Sequence, residues 1–249
     1  MQKSSSGIYS IQPQSNGDSS EKLYAQKNRR KPPIAVLFDM DGLLLDTERI
    51  ARESSRVTAL TLGHSISDAL ALRMIGLGSD ELSRVFIEEL GAHFPFTEYQ
   101  LLWNAKYREM LALGIPIRPG VTEALTALRA LGVSCAVATS THTPHARHKL
   151  EQAGILRHFV VVVGRDAVAL GKPAPDLYLH AADRLGVDVT QCWAFEDSLP
   201  GLTAAVAAGA RTHWVPDLAH IHPHELPSGV ETIDSLHAIC DWHKADHER

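Results

Sequence analysis

One short run, residues 34–41, places the strongest limit on how this chain can fold. It begins with five apolar residues at positions 34–38 and continues with two acids spaced two positions apart, Asp39 and Asp41. A segment that is apolar at every position is typical of a central strand in a parallel sheet, which is covered on both faces. The run therefore predicts a buried strand that delivers two carboxylates to one point at its carboxyl end.

Beyond Pro119, helical and strand patterns alternate along the chain. Strands are predicted at residues 133–138, 159–163, 191–195 and 211–215, and helices at residues 121–131, 144–154, 175–185, 200–208 and 234–247. This alternation predicts an α/β fold, built on a doubly wound parallel sheet of the Rossmann-like type.

Residues 47–116 follow a different pattern, because their apolar residues recur at helical spacing and no good strand interrupts them. Breaks near Gly63 and at residues 76–79 and 94–96 divide this stretch into about four helices, enough for a small bundle. Residues 1–31 are rich in Ser, Gln, Asn and Lys and are predicted to be a disordered tail. The predicted division is a tail of residues 1–31, a core of residues 32–46 and 117–249, and an inserted helical cap of residues 47–116.

Charge and cysteine content narrow the classes of partner and compartment. The net charge of -5 gives no reason to expect binding to nucleic acid or to a membrane surface, so a small molecule is the expected partner. Cys135, Cys192 and Cys240 have no C-x-x-C spacing, and two of them lie in apolar runs, as expected of reduced core thiols. Without an apolar run long enough to span a membrane, or a signal-peptide pattern, the sequence predicts a cytoplasmic protein. The oligomeric state stays open, and a monomer is compatible with the sequence.

Polar residues follow four of the predicted strands. Taken singly, a strand-end acid or hydroxyl is usually a turn or helix cap, and a loop lysine is usually exposed. In a doubly wound sheet, however, the carboxyl ends of the strands meet at one ligand-binding edge. Together these groups predict a site for a metal and a phosphate. Its members are Asp39 and Asp41 after the first strand, Thr139 and Ser140 after the second, Lys172 in the loop after the third, and Glu196 and Asp197 after the fourth.

The chemistry of these groups suggests roles for them. Clustered carboxylates repel one another unless a cation joins them, and hard oxygen ligands suit Mg²⁺, with Asp39 and Asp197 the natural ligands. Lys172 and Thr139 would offset the charge of a bound phosphate. Asp39 would attack phosphorus to form an aspartyl phosphate. Asp41 would protonate the leaving oxygen and later deprotonate water, and we expect neighbouring acids to raise its pKa for that purpose.

Four motifs then resemble a known family. Residues 38–42 (Phe-Asp-Met-Asp-Gly), Thr139, residues 171–176 (Gly-Lys-Pro-Ala-Pro-Asp) and residues 195–198 (Phe-Glu-Asp-Ser) resemble, in order, the motifs of the haloacid dehalogenase-like (HAD) hydrolase superfamily. The resemblance covers residues 34–216. It implies that the segment after residue 46 is a mobile helical cap that determines specificity.

The resemblance also implies residue roles that agree with the chemistry above. Asp39 corresponds to the nucleophile and Asp41 to the general acid-base, whose main chain also binds Mg²⁺. Thr139, with Ser140 beside it, and Lys172 correspond to phosphate ligands, and Glu196 and Asp197 to the acidic metal motif.

Within the family, the acid at Asp41 favours phosphoryl transfer over dehalogenation. The segment 42–48 is similar both to β-phosphoglucomutase and to the sugar-phosphate and nucleoside-phosphate phosphatases. The mutases carry a cap histidine where this chain has Ala51, and a basic residue in a cap loop that here, at residues 76–82, has none. Since a mutase must hold a second phosphate, the sequence favours a phosphatase acting on a small phosphorylated metabolite. A phosphomutase and a non-catalytic ligand-binding protein of the same fold are the alternatives.

Five further polar residues near the motifs are expected to have structural roles first. Ser198 is predicted to cap the helix that follows it. Asp166 and Asp176 are expected to cap helices or to hydrogen-bond to the motif lysine. His142 and His145 follow the second motif, but loop histidines are more often solvated than bound to a ligand.

Overall fold

A computed structural model describes residues 33–74, 79–218 and 221–240 of the chain, so the predicted tail lies outside the described residues. In these ranges six strands form one sheet in the order β3-β2-β1-β4-β5-β6, and every neighbouring pair is parallel. The prediction of a doubly wound parallel sheet is therefore confirmed. The strands are β1 Ala35–Phe38, β2 Ser134–Ala138, β3 Val161–Val163, β4 Cys192–Glu196, β5 Arg211–Trp214 and β6 Glu231–Thr232.

Helices cover both faces of this sheet, because successive side chains of each strand point to opposite faces and both faces are apolar. One face packs against helices α5 and α6 through residues such as Val36 and Phe38, and the other packs against α7 and α8 through Ala35 and Leu37. The helices are α1 Thr47–Thr61, α2 Asp68–Arg73, α3 Ser79–Leu90, α4 Phe96–Ala112, α5 Val121–Ala130, α6 Thr143–Gln152, α7 Asp176–Leu185 and α8 Leu199–Ala208.

The position of β1 decides where the site lies. The chain runs outward from β1 through β2 to β3 on one side and continues from β4 to β6 on the other, so the strand order reverses between β1 and β4. Phe38 is in register with Val137 of β2 and Phe195 of β4, so the three strands end at the same level. A reversal of this kind opens a crevice at the carboxyl ends of the strands.

Three details differ from the sequence prediction. β3 begins at Val161 rather than at residue 159, because residues Leu156–His158 form a 3₁₀ turn and Val160 is 69% exposed. The two-residue edge strand β6 was not predicted, since it is too short to show a periodic pattern. The predicted helix at residues 234–247 is described only as far as Cys240, and of those residues only 238–240 are helical.

The segment between β1 and α5 is helical, as predicted, and the described residues of 47–116 contain α1 to α4 and no strand. Its side chains form an apolar cluster of their own around Phe86, which is fully buried against Phe94, Phe96 and Tyr99. The chain enters and leaves this segment through adjacent stretches, where the Asp46 N–H donates to the Pro116 carbonyl at 2.9 Å. That residues 47–116 move as a separate cap domain stays a prediction.

Two other sequence features have clear outcomes. Cys135 and Cys192 are buried free thiols in β2 and β4, as predicted for core cysteines. None of the helices in the described part of the chain is both long and apolar enough to cross a membrane.

Phe86→Ala is expected to lower the free energy of unfolding by about 3–5 kcal/mol, because it empties the centre of the aromatic cluster. Ile87→Ala is a matched control on the same helix, since the Ile87 side chain is 42% exposed, and we expect a change of about 0.5 kcal/mol or less. Urea unfolding followed by circular dichroism measures both. Equal losses in the two variants would show that the cluster contributes little to stability.

Candidate active site

Three buried acids meet at the carboxyl ends of β1 and β4. Each of Asp39, Glu196 and Asp197 places a carboxylate oxygen within 4.8 Å of the others, and all three side chains are buried. The Lys172 Nζ donates to Asp39 Oδ1 and to Glu196 Oε1, each at 2.5 Å. The Lys172 side chain is itself only 5% exposed. The sheet thus brings together four of the predicted site residues.

One ammonium among three carboxylates leaves negative charge uncompensated, and two of these acids, Asp39 and Asp197, have raised pKa values. Burial raises the pKa of Asp39 to about 8, aided by the charges of Glu196 and Asp41 and opposed by Lys172. Burial, together with the charges of Asp39 and Glu196, raises the pKa of Asp197 well above its usual value. A divalent cation among these oxygens would remove the repulsion, and the all-oxygen donor set suits Mg²⁺.

Glu196 is held more tightly than the other two acids. Its Oε1 accepts from Lys172 and, at 2.7 Å, from the Tyr178 hydroxyl. Its Oε2 accepts from the Ser198 hydroxyl at 3.0 Å and from the backbone N–H groups of Asp197 and Ser198. Ser198 also accepts from the backbone N–H three residues on, at 3.2 Å, so the predicted helix cap is confirmed. With both oxygens occupied by donors, Glu196 fixes the orientation of the Lys172 ammonium and of the loop that carries Asp197.

Asp41 is held by three side-chain donors. Oδ1 accepts from Thr47 Oγ1 at 2.7 Å and from Lys149 Nζ at 2.8 Å, and Oδ2 accepts from Thr141 Oγ1 at 2.7 Å. Burial alone would raise the pKa of Asp41, but the charge of Lys149 and the hydrogen bonds of these donors lower it below its usual value. The expectation that neighbouring acids raise this pKa is therefore wrong, because a lysine lies closer to Asp41 than the other acids do.

Lys149 was not identified from the sequence. It lies on α6 beside Ala146 and Leu150, and all three are buried on the inner face of that helix. A buried lysine requires an anionic partner, so a lysine at a position of the apolar face was the available signal. The sequence does not show which acid is that partner.

The groups predicted to bind phosphate lie around Asp39. Thr139 is buried at the end of β2, and its Oγ1 accepts from the Thr141 N–H at 3.1 Å. Ser140 is exposed, and it lines the same cavity as Thr139, Asp39 and Lys172. These four residues present hydroxyls, a carboxylate and an ammonium to one space.

That space is a cavity of about 470 Å³ between the strand ends and the helices of residues 47–112. Cavities of this size are typical of sites for small ligands. The opposite wall consists of side chains from α1 to α4 and of Met74, the residue directly after α2. They are Glu48, Ala51, Arg52, Ser55, Ala71, Met74, Leu82, Tyr99 and Trp103.

Two charged groups on this wall were not identified from the sequence. Arg52 lies one position after Ala51, and its buried Nε has no hydrogen-bond partner, while its terminal nitrogen is 3.9 Å from the Asp68 carboxylate. Glu48 precedes Arg52 by one helical turn, and burial, with the charges of Asp41 and Asp217, raises its pKa to about 7. Loop 76–82 contains no basic residue, and its residues 76–78 lie outside the described residues. Arg52 of helix α1 places a guanidinium on the cavity wall.

Two histidines and two acids near the motifs do not line the cavity. His142 and His145 are exposed and do not line the cavity, and His145 lies in the first turn of α6 rather than in a loop. The Asp166 carboxylate accepts from the N–H of Thr143, the first residue of α6, at 2.6 Å. Asp176 accepts from the Leu170 N–H at 3.3 Å. These two acids stabilise the loops around β3 and α7.

Comparison with known proteins shows the family of this chain. The family model of the haloacid dehalogenase-like hydrolases matches residues 35–209. A phosphorylated carbohydrates phosphatase of Thermotoga maritima is 33% identical over 70% of this chain and 81% of its own length. A probable pseudouridine-5'-phosphatase of Drosophila melanogaster is 34% identical over 78% of this chain and 85% of its own. The crystal structure of a putative beta-phosphoglucomutase from Thermotoga maritima superimposes with a TM-score of 0.72 at 29% identity, covering 84% of this chain and 98% of that one. The chain therefore belongs to the haloacid dehalogenase-like hydrolases.

Proposed function

We propose that this protein is a Mg²⁺-dependent phosphatase that hydrolyses a small phosphorylated metabolite through an aspartyl phosphate on Asp39. The observation that carries the proposal is the position of Asp39, which lies between the Lys172 ammonium and the Asp197 carboxylate and faces the cavity. A phosphatase activity is also supported by the relatives, since two of them are named as phosphatases of this family.

Binding of the phosphate comes first in this scheme. Lys172 and the hydroxyls of Thr139 and Ser140 would hold its oxygens, while Asp39, Asp197 and the main chain of Asp41 would hold the metal. Bound there, Mg²⁺ supplies charge neutralisation for the phosphoryl group. Glu196 accepts a hydrogen bond from Lys172 and so keeps the Lys172 ammonium directed at Asp39. The helices of residues 47–112 exclude water from the far side of the cavity.

Two displacements at phosphorus follow. Asp39 forms a bond to phosphorus as the bond to the ester oxygen breaks, and protonated Asp41 gives its proton to that leaving oxygen. Water then attacks the phosphorus of the aspartyl phosphate, and ionised Asp41 accepts its proton. Inorganic phosphate leaves and Asp39 is regenerated. The donors around Asp41 lower its pKa, which favours the ionised form that the second displacement needs.

The cavity wall supports a sugar phosphate or a nucleoside monophosphate as substrate. Trp103 and Tyr99 present ring surfaces, and Glu48 and Arg52 present polar groups suited to hydroxyls. The relatives named for phosphorylated carbohydrates and for pseudouridine 5'-phosphate belong to these two classes. We also propose that residues 47–116 act as the specificity cap. A cytoplasmic location stays a prediction of the sequence.

One observation keeps the phosphomutase as a second candidate. Arg52 offers the cap cation that loop 76–82 lacks, and a cation in that place would hold a second phosphate. Ala51 on the same wall has no imidazole to move a proton, which favours the phosphatase. Isomerisation of β-glucose 1-phosphate without release of inorganic phosphate would reverse this preference.

Asp39→Asn is expected to reduce turnover by at least about 10⁴-fold, because an amide does not attack phosphorus. The assay is phosphate release with Mg²⁺ from p-nitrophenyl phosphate, glucose 6-phosphate, ribose 5-phosphate, glycerol 3-phosphate and uridine 5'-monophosphate. Asp188→Asn is the matched control and should retain wild-type rates. Asp188 is an exposed residue that caps a short 3₁₀ helix, and it does not line the cavity. Full activity of Asp39→Asn would refute the nucleophile assignment. A folded wild-type protein inactive on every ester would instead favour a non-catalytic binding protein.

Gly42→Ala is expected to raise the Mg²⁺ concentration for half-maximal activity by about tenfold or more, because its new Cβ would overlap the Asp197 carboxylate. Gly63→Ala is the control, since both glycines have positive φ (90° and 79°) but a Cβ at Gly63 would contact nothing within 4 Å. Both variants carry similar backbone strain, so only displacement of Asp197 separates them. Equal Mg²⁺ requirements in the two variants would remove Asp197 from the metal site.

Arg52→Gln is expected to raise KM for the best metabolite in the panel by about tenfold, because it removes a charged donor from the cavity wall. Arg56→Gln is the control on the next turn of α1, where Arg56 pairs with Asp68 outside this cavity. Steady-state kinetics of the two variants would give the comparison. A KM unchanged in both would place the substrate away from Arg52.

A further inference from the structure

The loop after β5 brings a further carboxylate to the cavity. β5 ends at Trp214, and the loop begins beside the end of β4, where the Val215 N–H donates to the Glu196 carbonyl at 2.8 Å. Asp217 and Leu218 of this loop line the cavity of the active site. Asp217 therefore lies at the same edge of the sheet as the buried acids, because residues that follow parallel strands meet there.

Two arginines hold one oxygen of the Asp217 carboxylate. Its Oδ1 lies 2.7 Å from a terminal nitrogen of Arg118 and 3.7 Å from one of Arg49. Arg49 lies in the first turn of α1 and Arg118 in the stretch before α5, and both also face Asp46, at 2.6 and 3.9 Å. The Asp217 side chain is only 2% exposed, so guanidinium groups rather than water compensate its charge.

The other oxygen of Asp217, Oδ2, is buried and has no hydrogen-bond partner among the described residues. Burial raises the pKa of this carboxyl, and the two arginines and the Leu218 N–H oppose the rise without satisfying Oδ2. A guanidinium often binds both oxygens of a carboxylate, so a contact that leaves one buried oxygen unpaired is unusual. An acceptor buried without a donor is unfavourable, and a ligand that supplies the donor removes this cost.

The balance of charge around Asp217 indicates which donor fits. An ionised carboxylate only accepts hydrogen bonds, so the missing partner is a hydroxyl or an ammonium. Among the described residues that act on Asp217 or face it across the cavity, acids and arginines are equal in number. The acids Asp217 and Asp46 are matched by Arg49 and Arg118, and Glu48 on the cavity wall is matched by Arg52. With no net charge to attract a cation, a neutral hydroxyl is the better partner.

We propose that Asp217 binds a hydroxyl of the substrate through Oδ2, and so selects phosphate esters that carry hydroxyls over esters of the same shape without them. The inference rests on the proposed phosphatase function and concerns the part of the substrate away from the phosphate. An ester that lacks the hydroxyl leaves Oδ2 unpaired, which discriminates more strongly than an apolar contact does. Selection of the substrate then depends on the sheet as well as on the helical wall.

Paired esters test this role in the full-length protein with Mg²⁺. The pairs are glycerol 3-phosphate with propyl phosphate, and ribose 5-phosphate with tetrahydrofurfuryl phosphate, and the members of each pair share a skeleton. The readout is the ratio of kcat/KM for the hydroxylated ester to kcat/KM for the other ester. A loss of folded protein changes both values equally and therefore cancels in this ratio.

The wild-type protein is expected to give a ratio of about 10² in at least one pair, and Asp217→Ala to lower that ratio by about tenfold or more. Asp217→Asn keeps the size of the side chain and tests the role even if alanine prevents folding. It should lower the ratio less, because its one accepting oxygen is shared between Arg118 and the hydroxyl. Asp46→Ala is the matched control. It removes a carboxylate from the same two arginines, but Asp46 does not line the cavity, so the wild-type ratio should remain.

Each outcome decides one claim. A wild-type protein that is inactive on every ester, p-nitrophenyl phosphate included, overturns the proposed function. An active wild-type protein with a ratio near one, or with an unchanged ratio in both Asp217 variants, overturns the role of Asp217 and leaves the phosphatase function standing. An equal fall of the ratio in Asp46→Ala assigns the effect to the two arginines and overturns the role of Oδ2. Faster hydrolysis of 2-aminoethyl phosphate than of 2-hydroxyethyl phosphate overturns the choice of a hydroxyl over an ammonium.

Discussion

The shared hydrogen bonds of the Lys172 ammonium are the interaction on which the rest of the site depends. Lys172 joins Asp39 at the end of β1 to Glu196 at the end of β4, and all three are almost wholly buried. Removing one member of such a group leaves an uncompensated charge in the interior, which is strongly destabilising. Since one lysine does not neutralise three acids, the fold retains an attraction for further positive charge. The same excess of buried negative charge thus destabilises the interior and favours the binding of a cation.

Most of this arrangement could be predicted from the sequence, because it depends on which residues follow the strands of the sheet. A run that is apolar at every position indicates a central parallel strand, and in such a sheet the residues after the strands meet at one edge. Asp39, Thr139, Lys172, Glu196 and Asp197 were found in this way. Their identification needed only the positions of the strand ends and of the loop after the third strand, and not the packing of the helices.

The rest could not be predicted, because it depends on contacts between helices distant in sequence. Lys149 follows Asp41 by 108 positions, and no local pattern pairs them. The expected direction of the Asp41 pKa shift was wrong for the same reason, since it rested on the neighbouring acids alone and did not include Lys149. Arg52 was missed because its side chain faces the cavity only when α1 packs in its observed orientation. The residues that follow a strand can be identified from the local sequence. The residues that line a cavity between helices cannot, because they depend on how the helices pack.

The two chain stretches that connect the sheet to the helical segment lie next to each other, and this has a consequence for how such a chain could arise. The Asp46 N–H donates to the Pro116 carbonyl and the Arg118 N–H to the Leu44 carbonyl, so the ends of a long insertion lie side by side. The loop-closure entropy of a chain segment rises only slowly with its length once its ends are joined. A short turn at this point could therefore be lengthened into several helices without altering the register of the sheet. The strand ends that carry the buried acids and the helical wall that faces them are therefore free to change at different rates during evolution.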